Sequence, residues 1–169
     1  MQNEILWCWD NVLKKGETLL ISSHSNTEED LNLSMLTGQI ALSLSNGQDT
    51  LLSPNHYKIK VLYTKNYMNK KEMFNFHSKQ IGGEGKINLY NDNFMMLYVD
   101  SEDFSLKKEE LKKIVSDMEP DLIVFDNITR LLSPVYEFTD IMNDIKEISG
   151  LKSKIISNCF HPILQHKEL

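Results

Sequence analysis

Apolar positions recur along the chain in two periods. Over residues 4–15, Ile5, Leu6, Trp9, Val12 and Leu13 lie three and four apart, which predicts an amphipathic helix ended by Gly16. Residues 17–22 then read as a short buried strand, and the polar run 23–30 as a loop. Met35, Leu36, Ile40, Ala41 and Leu44 share one face of a helix predicted over 33–45, capped at Asn46-Gly47. Strands are predicted at 59–64 and 94–99, with a helix over 69–80 and a glycine-containing loop at 81–85 between them. A helix over 106–118 is stopped by Pro120. The run Leu122-Ile123-Val124-Phe125 has no polar alternation, as expected of a central parallel strand covered on both faces, and it ends in Asp126. A helix over 138–149 closed by Gly150, a strand over 154–157 and a polar end complete the order, with 162–169 expected to be a disordered tail. Strands alternate with helices throughout. The fold class is therefore α/β, a three-layer sandwich around a mainly parallel sheet, in a single domain over 1–169.

Composition narrows the function classes. The chain has 169 residues, 41% hydrophobic and 25% charged, enough for a core without disulfides or metals. The net charge of −6 provides no global basic field for nucleic acid. Cys8 and Cys159 form no metal or disulfide pattern. The first residues lack the basic start of a signal peptide, and no apolar run reaches membrane-spanning length, so a cytoplasmic location is expected. Arg130 is the only arginine.

In an open α/β sheet, ligands collect beyond the carboxyl ends of the strands, which directs attention to the residues after each strand. His24 with Glu28, Glu29 and Asp30 is a loose metal pattern, better read as a solvated acidic loop. Cys159 and His161 lack an oxyanion-hole glycine. Trp7 and Trp9 have the surface to stack bases, but Trp9 on the apolar face reads as core. Lys107, Lys108, Lys112 and Lys113, interleaved with Glu109 and Glu110, read as a solvated helix face.

Three stretches together carry a resemblance. Residues 16–21 with 34–47, residues 121–132 ending their strand in Asp126, and residues 155–161 ending in His161 resemble the Walker A region, the Walker B strand and the histidine-ended strand of RecA-like P-loop NTPases. They are most similar to RepA-type plasmid replication helicases and their AAA-type relatives. The resemblance implies a RecA-like domain, here lacking the family's C-terminal strands. It implies ATP and magnesium as cofactors wherever the site is functional, and assembly through RecA-type edges.

The departures are chemical. With Ser34 as the Ser/Thr of G-x-x-x-x-G-K-[ST], Thr27 and Asn32 replace the glycines and Leu33 the lysine. Asn32, Leu33, Ser34 and Met35 then form a degenerate Walker A. Ser34 and Asp126 are metal ligands only if magnesium is bound; otherwise Ser34 is a helix N-terminal hydroxyl and Asp126 an acid capping a turn. His161 is a possible γ-phosphate sensor or a structural histidine. Lys65-Asn66-Tyr67-Met68 follows the second strand, with no carboxylate to activate water, and no arginine follows His161 to act as a finger. The expectation is a catalytically inactive NTPase-like domain with no cofactor, serving as an interaction or regulatory protein. It would pair with a protein partner or with itself; DNA is unsupported by charge, and no membrane role is expected. The alternative is a weak ATP-binding protein of the DNA-replication helicase class.

Overall fold

The computed structural model describes residues 7–24, 27–66, 92–99, 104, 106–132 and 136–160. The predicted 69–80 helix, the 81–85 loop, His161 and the 162–169 tail lie outside them.

Five strands form one parallel sheet: β3 (Thr18–His24), β4 (Val61–Asn66), β5 (Phe94–Val99), β6 (Leu122–Asp126) and β7 (Ser153–Phe160). Their order is β3-β7-β6-β4-β5, and every neighbouring pair is parallel. As expected, β6 is central and all five of its residues are buried. Its side chains alternate between two cores. Leu122 and Val124 join Val61, Tyr63 and Ile155 on one face, beneath α1 (Thr27–Asn46). Ile123 and Phe125 join Leu62 and Ile156 on the other, beneath α2 (Lys108–Met118) and α3 (Phe138–Ser149). Helices on both faces make the three layers, and they explain why the strand reads as an unbroken apolar run.

The N-terminal helix is overturned. Residues 7–14 form an antiparallel ribbon, β1 (Trp7–Trp9) and β2 (Leu13–Lys14), with Asn11 at φ 57° in the turn. Trp9 and Leu13 face each other across it and are buried in the α1-side core. Partners across so tight a turn are four apart in sequence, the same separation as neighbours on a helix face. Periodicity therefore supported the wrong element, while Asp10-Asn11 carried the turn chemistry. Accordingly Gly16, at φ 82°, ends no helix; it turns the chain from β2 into β3. The ribbon is tied down where His56 Nδ1 meets Asp10 Oδ2 at 2.7 Å and Ser53 Oγ donates to the Asp10 carbonyl at 3.3 Å.

The second correction concerns α1, which begins at Thr27 rather than Leu33. Only two residues separate it from the end of β3.

The α3 helix matches its predicted bounds. Glu137 and Asp140 form a reciprocal capping box at its start, and Gly150 follows at φ 53°. A Cβ there would meet nothing within 4 Å, so Gly150→Ala isolates backbone strain. It is expected to cost about 1 kcal/mol in urea unfolding.

Between α2 and α3, Lys108 Nζ bridges Asp144 at 2.9 Å and Glu147 at 3.0 Å, and Tyr136 OH donates to Asp144 at 2.6 Å. Hydrogen bonds from Lys108 and then Lys112 hold the Glu147 carboxyl below its ordinary 4.5. The folded state thus releases this proton more readily than the unfolded chain. Its stabilisation is present above about pH 4.5 and is lost as pH falls through the lowered folded value. Glu147 is well solvated, so the effect is modest; Glu147→Gln should flatten the acid limb of the stability–pH curve, read from urea midpoints.

Candidate functional site

The parallel register places three polar side chains in a row near the carboxyl edge of the sheet. Lys65 on β4 is the direct register partner of Asp126 on β6. On β7, Phe125 pairs with Ile156, so Ser157 stands beside Asp126. Alternation turns all three toward the α1 face, since Val61 and Tyr63, Leu122 and Val124, and Ile155 point there.

These side chains converge on the Asp126 carboxylate. Lys65 Nζ lies 3.1 Å from Oδ2, with both side chains 2% exposed. Ser157 Oγ donates to Oδ1 at 2.9 Å and accepts the Asn127 N–H at 2.8 Å. That N–H is aimed by Asn127 itself, which takes the left-handed conformation at φ 49° and turns the chain into the 3-10 segment Ile128–Leu131. Asparagine tolerates this region better than most residues. From α1, the Thr37 hydroxyl stands 2.8 Å from the Leu33 carbonyl and 3.3 Å from both Oδ1 and the Ser34 carbonyl, so three acceptors compete for its one proton and Leu33 is the nearest. Tyr63 OH donates to the Ser34 carbonyl at 3.4 Å, and the Lys65 ammonium lies 5.9 Å from the Tyr63 ring centroid. Such a pair, closed off from water, is held together by hydrogen bonds that offset its desolvation.

Asp126 thus stands where the sequence places it, at the end of a buried strand. The helix hydroxyl beside it belongs to Thr37, not Ser34. Ser34 lies one turn earlier and reaches the cluster through its carbonyl, which also accepts from Thr37 Oγ1 at 3.3 Å. Leu33 is buried, Met35 is half-buried, and Asn32 lies in the helical backbone. Read from Thr37, the pattern G-x-x-x-x-G-K-[ST] falls on Asp30, Met35, Leu36 and Thr37, again without glycine or lysine. Leu36, at the lysine position, packs on the core. Two signals for Thr37 were present in the sequence: it is three residues from Ser34, on the same helix face, and it precedes Gly38. Lys65 carried no signal in the sequence, because the resemblance implies an acid after the second strand and gives a cation there no role.

The stretch that the resemblance assigns to phosphate binding also departs from the pattern. No glycine occurs from residue 17 to residue 37. Where a loop would wrap phosphates, α1 runs for ten residues before Thr37, about 15 Å of regular helix. Helical N–H groups beyond the first turn bond their own carbonyls and present no donors to an anion. The residues present therefore do not fit a magnesium nucleotide: the glycines and lysine are missing, and the carboxylate already has an internal cation. Among the described residues, no group of three or more His, Cys, Asp and Glu is placed to hold a metal, and no helix is long and apolar enough to cross a membrane.

No protein-family model matches the chain, and no curated protein matches it at a significant level. Solved structures do resemble it. A KaiC-like protein from the hyperthermophilic archaeon Pyrococcus horikoshii matches 91% of this chain with a TM-score of 0.57 at 9% sequence identity. The chain spans 66% of that protein's length. At this identity the likeness establishes the fold alone: a three-layer α/β domain on a parallel sheet, shared with that KaiC-like protein.

Proposed function

We propose that this RecA-like domain does not turn over nucleotide and acts as an interaction or regulatory protein. The observation that carries this reading is the Asp126 carboxylate, bonded inside the protein to Lys65 and Ser157 and approached by Thr37. An acid that must hold magnesium needs its oxygens turned to a metal and its nucleotide; this one is turned to the protein's own cation. The missing glycines and lysine point the same way. A lysine and an ordered metal supply most of the charge stabilisation in phosphoryl transfer, and little other chemistry is available to replace it.

The interaction half of the reading draws on the sheet edges. The outer strands of the described sheet are β3 and β5, and each carries an exposed apolar residue, Leu20 (53%) and Met95 (42%). Edge strands of this kind favour association with a second chain, which suits self-association or pairing with an active relative.

The test is phosphate release from ATP by the purified protein beside Asp126→Ala. Turnover is expected at background in both. Turnover above background that disappears in the variant would overturn the proposal. The weak ATP-binding alternative of the replication-helicase class is tested by melting. Millimolar ATP with magnesium is expected to leave Tm within about 1 °C, because only a ligand bound by the native state raises it.

A further inference from the structure

We propose that two copies of this chain join through the outer edge of β3, antiparallel and centred on Leu20, so that their two sheets become one. The inference rests on the interaction reading and deepens it by naming the partner, a second copy, and the surface. β3 ends the sheet, with β7 on one side and no strand among the described residues on the other. The Lys154 N–H donates to the Glu17 carbonyl at 3.0 Å, which fixes the direction of the backbone groups that follow. Leu19, Ile21 and Ser23 turn theirs toward β7. Thr18, Leu20 and Ser22 turn theirs outward, where none has a backbone partner among the described residues. Natural sheets blunt such an edge with charge, proline, a bulge or a very short strand. β3 has no lysine, arginine, carboxylate or proline, and its register with β7 is unbroken over 7 residues.

The strand is complementary to itself. A two-fold axis through Leu20, perpendicular to the sheet, sets Leu20 against Leu20 of the second copy, Thr18 against Ser22, and Leu19 against Ile21. The outward N–H and C=O groups of Thr18, Leu20 and Ser22 then all meet counterparts. Side chains match on both faces. Thr18 and Ser22, both exposed, pair hydroxyl with hydroxyl. Leu19 and Ile21, only partly buried against the α1-side core, complete each other's cover. On the opposite face Leu20 is 53% exposed, although its register neighbour Ile156 on β7 is 1% exposed. The core beneath α2 and α3 therefore stops one strand short of the edge. A second copy extends it: Ile156 and Leu20, followed by the same two residues in reverse order, form one apolar row across the joint. An axis through Ile21 would instead set Leu20 against Ser22 and Leu19 against Ser23, and these matches would be lost.

The experiment measures mass in solution by sedimentation velocity, up to about 100 µM chain. It compares wild type, Leu20→Lys, Leu20→Glu, an equimolar mixture of those two variants, and Leu106→Lys, which charges an 82% exposed leucine outside the strand. Wild type is expected to be a dimer at the upper concentration. Each Leu20 variant sets like charges face to face and should weaken association by about tenfold or more. The mixture sets lysine against glutamate and should recover the dimer, while Leu106→Lys should match wild type. Circular dichroism checks that each variant is folded. Should a Leu20 variant not fold, Ser22→Lys, at an exposed position in the same row, replaces it, and the same loss of dimer is expected. A wild type that stays monomeric, a dimer that the edge variants leave intact, a mixture that stays monomeric, or an equal loss in Leu106→Lys would overturn the proposal. ATP turnover by wild type would instead sink the non-catalytic reading, and a monomer without turnover would leave that reading standing, so the two failures are separable.

Discussion

Lys65→Met is expected to lower stability by about 3–5 kcal/mol, because it removes the Lys65 ammonium from beside the buried Asp126 carboxylate. For a chain of this size that corresponds to a fall in Tm of roughly 10 °C. Asp126→Leu should cost a similar amount by stranding the ammonium. The double variant Lys65→Met/Asp126→Leu is the informative one. Removing both charges also removes both desolvation penalties, so most of the loss should be recovered, and the two substitutions should be strongly non-additive. Recovery will be incomplete, since Ser157 Oγ loses its acceptor while still accepting the Asn127 N–H. Urea unfolding of the four proteins checks this. Additive losses would mean that the charges do not see each other across the strand pair.

Where burial alone dictates the pattern, the sequence was enough. β6 needs apolar residues on both faces because helices cover both, and α3 shows its cap residues at each end. The ribbon was misread because four-residue spacing serves a helix face and a tight hairpin alike, and only the conformational preference of Asp10-Asn11 separates them. The early start of α1 was hidden by composition. Glu28, Glu29 and Asp30 look like a solvated loop, yet acidic residues near a helix start are also favoured by its dipole.

The site was half legible. Asp126 stands out because an acid ends an apolar run. Ser34 and Thr37 lie on one helix face, and no one-dimensional pattern says which is level with Asp126; that depends on how far α1 rises past the strand ends. Lys65 becomes significant only when register sets it opposite Asp126, a relation between residues 61 positions apart. The P-loop pattern contains no lysine at this place, so the pairing of Lys65 with Asp126 is visible only in the structure.

Trp9→Ala is expected to be the most damaging apolar substitution in the N-terminal ribbon, at about 3–5 kcal/mol. Trp9 is fully buried and packs in the same core as Ile40, Leu44 and Tyr63, so it is the means by which β1 and β2 are held against α1 and the sheet. Val12, in the turn and 36% exposed, should lose no more than about 0.5 kcal/mol as alanine. An amphipathic helix lying on the surface would bring these two values much closer together, so their ratio tests the ribbon directly. Trp9→Phe gives a finer reading. The Trp9 indole Nε1 is buried without a hydrogen-bond partner. An unsatisfied buried donor costs about 1–3 kcal/mol, and phenylalanine removes it. That gain opposes the lost apolar area and the small cavity left behind. Trp9→Phe should therefore fall within about 1.5 kcal/mol of wild type, far from the alanine value. A phenylalanine variant as unstable as the alanine one would show that the indole N–H is satisfied in solution and contributes to the fold.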